Sequence, residues 1–388
     1  MEKVTENIFN IGVNDKKIDL FESQYKVPDG MSYNSYVIND DKIAIFDTVE
    51  ENHTKEWLKN LEECLNDKEP DYLIILHLEP DHSGGIKLLC QKYPRMKIVG
   101  NNKTFTFLPQ FCSINDLEER KVEVKENDKI FLGKHELNFI MAPMVHWPET
   151  MMCYESNNNI LFSADAFGKF GTRDIKDNWV DEARRFYINI VAKYGVQVQN
   201  VLNKISNTKI QTICSLHGPV LKDNLDLYIE KYDKWSRYEP ELPNGILVVY
   251  CSIHGNTKNA VLKFVDILYK KGAENIRVID LCRFDMSEAI SQSFRFGKIV
   301  LASSSYNASV FPAMETFLRL LKDKNYQNRI VGIIENGTWA PSAAKTMKSI
   351  LNEMKNISVL EPEITIKSTL SEDNIEKFND LADNIIHV

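Results

Sequence analysis

The sequence predicts an α/β protein whose two halves are organised differently, and two patterns carry this prediction. In the first half, strand-like segments dominate and a long helical segment, residues 181–205, comes late. From residue 245 onward, near-continuous apolar strands alternate with helical segments. This alternation is typical of a doubly wound parallel sheet that is covered by helices on both faces. We therefore expect two domains, residues 1–240 and 241–388.

The strands and one helix of the first half follow from its apolar patterns. SYNSYVI and KIAIFDT flank a polar Asn-Asp-Asp turn, which is a hairpin signal. Residues 54–65 then show helical spacing. The remaining strand-like segments are, in order, DYLIILH, MKIVG, KVEV, KIFL, HELNFIMAP, MMCYES, NILFSAD and QTICSLH.

The second half follows the segment YDKWSRYEPELPNG, whose two prolines and Pro-Asn-Gly ending favour a linker. The first strand is ILVVYC, followed by a polar loop and a helix over about residues 257–271. The further apolar strands are IRVIDL, KIVLASS and RIVGIIE, each separated from the next by a helical segment.

Composition and charge exclude several classes of protein. A net charge of -8 and a pI near 5.6 argue against nucleic acid as a partner. The N-terminus lacks the apolar core of a signal peptide, and no apolar run is long enough to cross a membrane, so we expect a cytoplasmic protein. The seven cysteines form no CxxC pair, which argues against an iron–sulfur or four-cysteine site. We expect them to be buried, reduced thiols.

Seven imidazole and carboxylate residues stand where a strand-like segment meets the following loop. Four come from the stretch LHLEPDHSGG and three from later strand ends. A single histidine at such a place is usually structural, but several together are hard to explain in that way. Imidazole and carboxylate ligands without thiolates suit a pair of divalent ions such as iron, manganese or zinc. The seven are His77, Glu79, Asp81, His82, His146, Asp165 and His217.

The pattern HxExDH, then a distant His, then Asp, then His, resembles the metallo-β-lactamase-like module of the flavodiiron proteins, or A-type flavoproteins. The zinc hydrolases of that superfamily have a second histidine where this chain has Glu79. An added anionic oxygen ligand favours a higher oxidation state, which suits iron better than zinc. The resemblance implies an αβ/βα sandwich with two non-haem irons, although in some members the histidine matching His82 is not a ligand. One iron would be held by His77, Glu79 and His146, the other by Asp81, His82 and His217, with Asp165 as the bridge.

Three polar loops follow strands of the second half, where a doubly wound sheet binds its ligands. The first, SIHGNT, offers hydroxyl and backbone donors to an anion at a helix N-terminus, although similar loops also serve as ordinary helix caps. The three loops resemble the FMN loops of flavodoxin, with Trp339 either stacked on the flavin or buried as an anchor. The resemblance implies FMN contacts from Ser252, Ile253, His254, Gly255, Asn256, Thr257, Ser304, Ser305, Tyr306, Asn307, Gly337, Thr338 and Trp339.

Two tyrosines and two glycines are assigned places around the metal site. Tyr25 and Tyr187 lie in FESQY and RRFY, which resemble family segments near the irons. Both are candidate hydrogen-bond donors beside the metals, with a packing role as the alternative. Many family members carry a histidine in the segment matching FESQY, and this chain has none there. Gly84 and Gly85 are expected to let the chain turn sharply into the next helix.

The resemblance covers essentially the whole chain and implies the minimal two-domain class of the family. FMN would pass electrons to the irons, which would reduce dioxygen to water, nitric oxide to nitrous oxide, or both, as detoxification in an anaerobe or microaerophile. A head-to-tail homodimer, or a dimer of dimers, would place the partner's flavin over the irons, with Trp147 and Glu149 in the gap between the cofactors. Since no rubredoxin-like module is attached, rubredoxin or another separate carrier would supply the electrons.

Two other functions fit parts of the sequence. A dinuclear zinc hydrolase fused to a flavodoxin-like domain is the main alternative, but Glu79 argues against it and a hydrolase has no obvious use for FMN. A non-enzymatic electron carrier would use the second half alone, and the complete ligand set of the first half argues against it.

Overall fold

The computed structural model describes all residues, Met1–Val388, and contains two compact units, Met1–Asp233 and Lys234–Val388. The domain boundary expected from the sequence, after residue 240, lies slightly beyond the division between these two units and stays a prediction. Much of the expected linker is regular structure, because its first residues belong to the helix Leu225–Ser236 and its last residues to the strand Leu242–Cys251. None of the helices combines the length and the apolar character that crossing a membrane requires.

Two large sheets of the first unit share a hydrophobic core. This core contains Tyr36, Phe46 and Phe162, and the rings of the last two stack with centroids 4.0 Å apart. The seven-stranded sheet has the spatial order Glu2–Lys3, Ile8–Asn10, Tyr36–Asn39, Ile43–Phe46, Tyr72–Ile74, Lys97–Gly100, Lys121–Glu123. The five-stranded sheet has the order Lys129–Phe131, Glu136–Met141, Met151–Glu155, Ile160–Phe162, Thr212–Cys214. Two short ladders pair Val13–Asp15 with Met31–Tyr33 and Leu20–Phe21 with Tyr25–Lys26.

A second core lies on the other face of the seven-stranded sheet. Val37 and Ile45 face this core and meet Trp57 and Leu61 of a helix, whereas their strand neighbours face the five-stranded sheet. Burial on both faces explains why these strands are apolar without alternation. The helices of this unit are Thr54–Leu65, Pro80–Ser83, Ile86–Lys92, Asn102–Phe111, Leu117–Arg120, Val180–Phe186, Gly195–Ile205 and Leu225–Ser236.

The segment expected to form one helix over residues 181–205 is interrupted. A turn of π-helix, Tyr187–Val191, and a short 3₁₀ turn, Ala192–Tyr194, separate its two α-helical parts. The Asn189 side chain donates to the Arg185 carbonyl at 2.8 Å, which an uninterrupted α-helix would pair with a backbone N–H. Sequence spacing alone does not reveal such a local competition for a carbonyl.

The second unit is a parallel sheet with helices, as predicted. Its spatial order is Ile276–Asp280, Leu242–Cys251, Phe296–Tyr306, Arg329–Asn336 and then Ile357–Val359, with Ile364–Ile366 also pairing to the fourth of these. In chain order this is 2-1-3-4-5, the flavodoxin-like arrangement. A short antiparallel strand, Ser309–Val310, pairs with Phe296–Tyr306. The helices are Asn256–Lys270, Met286–Arg295, Pro312–Asp323, Ala343–Leu351 and Glu372–His387.

Arg329 anchors the start of the second unit to its sheet. The guanidinium is 2% exposed and faces no carboxylate among its hydrogen-bond partners. Burial lowers the pKa of Arg329, and its guanidinium donates five hydrogen bonds to backbone carbonyls, one from Nε, three from Nη1 and one from Nη2. The accepting carbonyls belong to Tyr238, Phe294, Phe296, Gln327 and Asn328.

Candidate metal centre and flavin site

The seven predicted metal ligands converge in the first unit. Each follows the carboxyl end of a strand, and strands of both sheets contribute. The ligand atoms form three overlapping groups, in each of which they lie within 4.8 Å of one another. These groups are His77, Glu79, His146 and Asp165; His77, Asp81 and His82; and His82, Asp165 and His217.

The first of these groups gathers around His146. Its Nε2 lies 2.9 Å from Glu79 Oε2 and 3.1 Å from Asp165 Oδ2. The Nε2 of His77 lies 3.4 Å from Asp165 Oδ1 and 3.8 Å from Glu79 Oε2. Two imidazole nitrogens and two carboxylates therefore face one small volume.

Two further histidines face each other on the opposite side of Asp165. The Nε2 atoms of His82 and His217 are 3.1 Å apart, and each lies 3.4 Å from Asp81 Oδ2. Asp165 Oδ1 is 3.8 Å from His82 Nε2 and 3.7 Å from His217 Nε2. One carboxylate thus approaches both sets of ligands, which is the arrangement of a bridging ligand.

Several ligand atoms are buried without a hydrogen-bond partner. They include both carboxylate oxygens of Asp81, Nε2 of His77 and Oδ1 of Asp165. Leaving such atoms unpaired costs about 1–3 kcal/mol each, and more for charged groups. Divalent cations bound between them remove this cost, so the donor set fits two metal ions of the iron, manganese or zinc kind.

The pKa values of His146 and Glu79 shift in opposite directions, because the imidazole and the carboxylate interact strongly. Burial by itself lowers the pKa of His146, but Asp165 and Glu79 raise it to about 10. Burial raises the pKa of Glu79, yet His146 and His77 lower it to about 2. The pair is held as imidazolium and carboxylate, and a metal ion would take the place of the proton.

Polar groups behind the ligands fix their orientation. His217 Nδ1 lies 2.8 Å from the Ser32 carbonyl, which leaves Nε2 directed at the site. The Thr48 hydroxyl donates to the carbonyl of His82 at 2.8 Å and accepts from Gly85 N–H at 3.0 Å. Asp47 Oδ1 accepts from the N–H of Leu76 at 2.9 Å and sits beside the backbone of His77. Sequence reasoning missed Asp47, although it also ends an apolar strand.

The backbone around the ligands is strained. Ala164 and Phe167 flank Asp165 with φ values of 51° and 66°, and Asp47 has φ of 49°. Left-handed conformations at residues other than glycine cost about 1–2 kcal/mol each. Such strain persists only where surrounding packing enforces it, which is common at functional sites.

Gly84 and Gly85 have a different role from the one expected. Both have negative φ values, -58° and -87°, so no turn requires a glycine's conformational freedom here. Space is what they provide, because a Cβ on Gly84 would lie 2.5 Å from the backbone nitrogen of Glu51. A Cβ on Gly85 would lie 3.0 Å from Thr48 and Trp57. The chain does turn at Gly84 and Gly85 into the next helix, as expected, but it is the close packing of the loop, not a positive φ, that requires glycine there.

The two candidate tyrosines lie in the packing around the site. The Tyr25 hydroxyl donates to the Asn189 carbonyl at 3.2 Å, and the Tyr187 ring packs against Tyr232 with centroids 4.9 Å apart. Neither of these contacts is with a metal ligand. The hairpin that carries Tyr25 is fixed to the site by Phe21, whose ring meets that of His217 at 5.5 Å.

Glu22 is a further residue that sequence reasoning missed. It forms the turn of the hairpin, with φ of 48°, and its side chain reaches the surface. The protein around its carboxyl partly removes water from it and so raises the pKa of Glu22, and the charge of Glu79 raises this pKa further. Its signal was present in the sequence, because Glu22 belongs to the FESQY segment already assigned to this region.

Trp147 and Glu149, next to His146, are placed differently from each other. Trp147 is partly exposed and its ring lies 5.9 Å from that of Phe111. Glu149 is 0% exposed, and its Oε1 accepts from Leu78 N–H at 2.9 Å. The structure therefore places Glu149 behind the ligand loop, not in an open gap, because its carboxylate holds the backbone between two ligands.

The three polar loops of the second unit enclose one cavity of about 490 Å³. Trp339 lines it and is 91% exposed, so its alternative role as a buried anchor is wrong. Gly255 is the one predicted contact that does not line the cavity; with φ of 93° it precedes the helix Asn256–Lys270 instead. Ala308, Asn336 and Ala340, within the second and third predicted loops, also line the cavity, and the lining residues that lie outside the predicted loops are Ser342 and Ser368.

Hydroxyl groups organise the first of these loops. Ser252 Oγ accepts from the N–H groups of Gly255 and Lys258, both at 3.2 Å. The hydroxyls of Thr257 and Ser304 are 3.0 Å apart and join the first loop to the second. No lysine or arginine lines the cavity, so an anion there would meet hydroxyls and backbone donors at a helix N-terminus.

The chain is similar to several known proteins over most of its length. A family model described as ODP family beta lactamase matches residues 31–218. The nitric oxide reductase of Moorella thermoacetica is 26% identical over 98% of this chain and 97% of its own. The rubredoxin oxygen:oxidoreductase of Desulfovibrio gigas has a TM-score of 0.91 at 22% identity, covering 99% of this chain and 97% of that one. A variant of the flavo di-iron protein of Thermotoga maritima has a TM-score of 0.87 at 26% identity, covering 98% and 96%.

The curated relatives differ in length. The chain covers 95% of the length of one relative, but only 51% and 62% of the lengths of two diflavin flavoproteins. Fold and site together define a protein that joins a metallo-β-lactamase-like unit with a paired metal site to a flavodoxin-like unit. The chain belongs to the flavodiiron protein family.

Proposed function

We propose that this chain is an oxidoreductase that reduces dioxygen to water, nitric oxide to nitrous oxide, or both. The observation that carries the proposal is a paired ligand set containing Glu79, on a chain that also holds a polar flavin-sized cavity. The relatives named nitric oxide reductase and rubredoxin oxygen:oxidoreductase support the two substrates. A zinc hydrolase is not favoured, because those relatives are oxidoreductases.

Two iron ions are the metals that we assign to the site. When bound, they supply reducing electrons and open coordination positions for the gas. The residues of the chain hold them and exclude water through the buried surroundings. The ligands proposed for one ion are His77, Glu79 and His146, and for the other Asp81, His82 and His217, with Asp165 shared.

FMN is the cofactor that we assign to the cavity of the second unit. When bound, it supplies electrons one at a time. Ser252, Thr257 and Ser304 offer hydroxyls to its phosphate, and Trp339 offers an exposed aromatic face to its ring. The phosphate would be held without a cationic side chain, as the lining of the cavity implies.

Both reactions consume protons, and Glu22 is placed to hold one. Its carboxyl interacts electrostatically with Glu79 and Asp165 but lies outside the ligand groups. Desolvation and then the charge of Glu79 raise the pKa of Glu22, so this carboxyl takes up a proton more readily than an ordinary surface glutamate. Tyr25 and Tyr187 remain candidate hydrogen-bond donors beside the metals.

The partners of the chain are proposed from the family. A head-to-tail homodimer, or a dimer of dimers, would bring a partner's flavin to the metal site, with Trp147 exposed towards it. Rubredoxin or another separate carrier would supply the electrons, and the protein would work in the cytoplasm of an anaerobe or microaerophile.

One preparation tests the proposal. Purified protein is analysed for metals and for its visible spectrum, and then reduced with dithionite or rubredoxin in the presence of each gas. About two irons and one FMN per chain, with consumption of dioxygen or nitric oxide, are expected. Zinc in place of iron, without consumption of either gas, would contradict the proposal. Turnover with each gas at matched donor concentration decides which substrate is preferred.

A further inference from the structure

Two cysteines meet where neighbouring strands of the second unit end. The strands Leu242–Cys251 and Ile276–Asp280 run parallel, and their last paired residues are Tyr250 and Asp280. Beyond that pair, the N–H of Leu281 donates to the Tyr250 carbonyl at 3.0 Å, and the chain turns as the N–H of Cys282 donates to Asp280 Oδ1 at 3.0 Å. Neighbouring strands lie about 4.8 Å apart, and disulfides join Cα atoms about 4.4–6.8 Å apart.

The two thiols are neighbours with different exposure. The Cys251 side chain is buried and within hydrogen-bonding reach of the Cys282 thiol, which is exposed. Both are free thiols in the structure. The other five cysteines of the chain all lie in the first unit, so Cys251 has Cys282 as its one possible partner within Lys234–Val388.

We propose that Cys251 and Cys282 are a redox-modification site, at which a hydroperoxide converts two thiols into a reversible disulfide. The exposed sulfur of Cys282 attacks the peroxide, the O–O bond breaks, an alcohol or water leaves, and Cys282 becomes a sulfenic acid. The sulfur of Cys251 then attacks that of Cys282, the S–S bond forms and water leaves. Two electrons pass from the thiols to the peroxide oxygens.

The environment sets the order of these steps. Burial raises the pKa of Cys251, and the adjacent Cys282 raises it further. A thiol reacts with peroxide as its thiolate, so the buried Cys251 is protected until Cys282 has been oxidised.

The disulfide would act on the neighbouring flavin loop. Cys251 directly precedes Ser252, whose Oγ accepts from Gly255 and Lys258 N–H at 3.2 Å. Pulling Cys251 towards Cys282 displaces this hydroxyl from the start of the helix. We expect the oxidised protein to bind FMN more weakly, a consequence that rests on the proposed flavin site, whereas the disulfide itself does not.

Thiol mapping of the full-length protein tests the site. Reduced protein is treated with cumene hydroperoxide, the remaining thiols are alkylated, and peptides are identified by mass spectrometry. We expect a disulfide linking Cys251 to Cys282, five of the seven thiols still free, and full reversal by dithiothreitol. The exposed-site variant Cys282→Ser should keep six reduced thiols, including Cys251, and Cys112→Ser should form the same disulfide as the wild type.

Three results would overturn the proposal: seven thiols that all stay reduced, a sulfinic Cys282 without a cross-link, or a disulfide between two chains. Fluorescence titration with FMN on the apoprotein tests the consequence, with roughly tenfold weaker binding expected after oxidation. Equal FMN affinity of the reduced and oxidised proteins would reject the proposed effect on flavin binding. Whether the disulfide forms is decided separately by the thiol mapping. Neither measurement depends on gas reduction, so failure of the proposed enzyme activity is seen separately.

Discussion

The Nε2 atoms of His82 and His217 lie 3.1 Å apart, and Asp81 Oδ2 lies 3.4 Å from each of them. Burial lowers the pKa of both histidines, and His217 lowers that of His82 further. The two rings are therefore held as neutral imidazoles, which is the form that binds a metal ion.

Metal binding is expected to stabilise the first unit. A ligand at 100 times its Kd stabilises the native state by about 2.7 kcal/mol, and for a domain of this size 1 kcal/mol corresponds to about 2–4 °C. Calorimetry of chelator-treated protein, with and without Fe²⁺ under anaerobic conditions, should therefore show a rise in Tm of roughly 5–10 °C. Asp165→Ala, which removes the shared ligand, should abolish most of the rise. A rise of the same size in that variant would contradict metal binding at this site.

Asp47→Asn is expected to weaken metal binding while keeping the loop in place. Asparagine retains the oxygen that accepts from Leu76 N–H, but it removes the buried carboxylate beside His77. Groups behind the ligands typically contribute about 10–100-fold in metal affinity. Competition with a chromogenic chelator measures this change, and Asp41→Asn on the exposed neighbouring turn is the matched control. Equal affinity of both variants would show that Asp47 acts only through its backbone hydrogen bonds.

Glu79→His is expected to lower gas turnover even where both metals remain bound. The change removes an anionic oxygen ligand and restores the imidazole of the related hydrolases. We expect the variant to hold metal, because imidazole suits iron and zinc, but to support the oxidised state less well. Metal content and turnover are measured on the same samples, with Glu56→His on an exposed helix as control. Wild-type turnover in a metal-loaded variant would mean that Glu79 does not tune the site.

Gly84→Ala is expected to destabilise the first unit by steric overlap. The new Cβ would lie 2.5 Å from Glu51 N and 2.9 Å from Val49 O, which are backbone atoms. Overpacking of this kind costs about 1–3 kcal/mol, measurable by urea unfolding. Gly332→Ala is the control, because its nearest contact would be an ordinary 3.4 Å with the flexible Leu381 side chain. Equal stability of the Gly84 variant and the wild type would show that the loop moves aside freely.

The Asp40→Asn variant is expected to be less stable than the wild type, by an amount that depends on pH. Burial of Asp40 opposes its ionisation, but hydrogen bonds from His135 N–H and from the His135 ring, 2.8 Å away, lower its pKa overall. The carboxylate therefore contributes stability above its unfolded pKa of about 3.9, and this contribution is lost as the pH falls through the lower folded pKa. Hydrogen bonds to charged groups contribute about 1.5–3 kcal/mol.

Urea unfolding at pH 7 and at successively lower pH measures this prediction. The difference between wild type and Asp40→Asn should be largest at pH 7 and shrink below about pH 4. Asp41→Asn, on the exposed adjacent residue, should show little difference at either pH. A difference for Asp40→Asn that stays constant down to pH 3 would contradict an electrostatic origin.

Much of the site follows from the positions of polar residues at strand ends. His146, Asp165 and His217 are far apart in sequence, but each follows an apolar strand, and neighbouring strand ends meet in space. Glu22 escaped this reasoning because it occupies a hairpin turn, where a glutamate is usually only a solvated side chain. The sequence pattern therefore predicts ligands at the ends of strands more reliably than functional side chains that belong to a turn.

The remaining differences have local physical causes. Gly84 was expected to allow a turn. Glycine is required there because the backbone of Glu51, in another element, lies too close for a side chain, and the sequence does not show this contact. Arg329 is buried against carbonyls from Tyr238 and Phe296, and nothing in its own segment indicates those distant acceptors. Contacts made across the fold, and not propensity within a segment, decide both positions.

Asp165 belongs to two of the three ligand groups, and this sharing has a consequence for how the site fills. Ions at the two proposed positions would both depend on this one carboxylate, so neither position is complete without it. A substitution at this aspartate would therefore weaken both positions at once, whereas a change at His146 or at His217 would remove a ligand from only one of them.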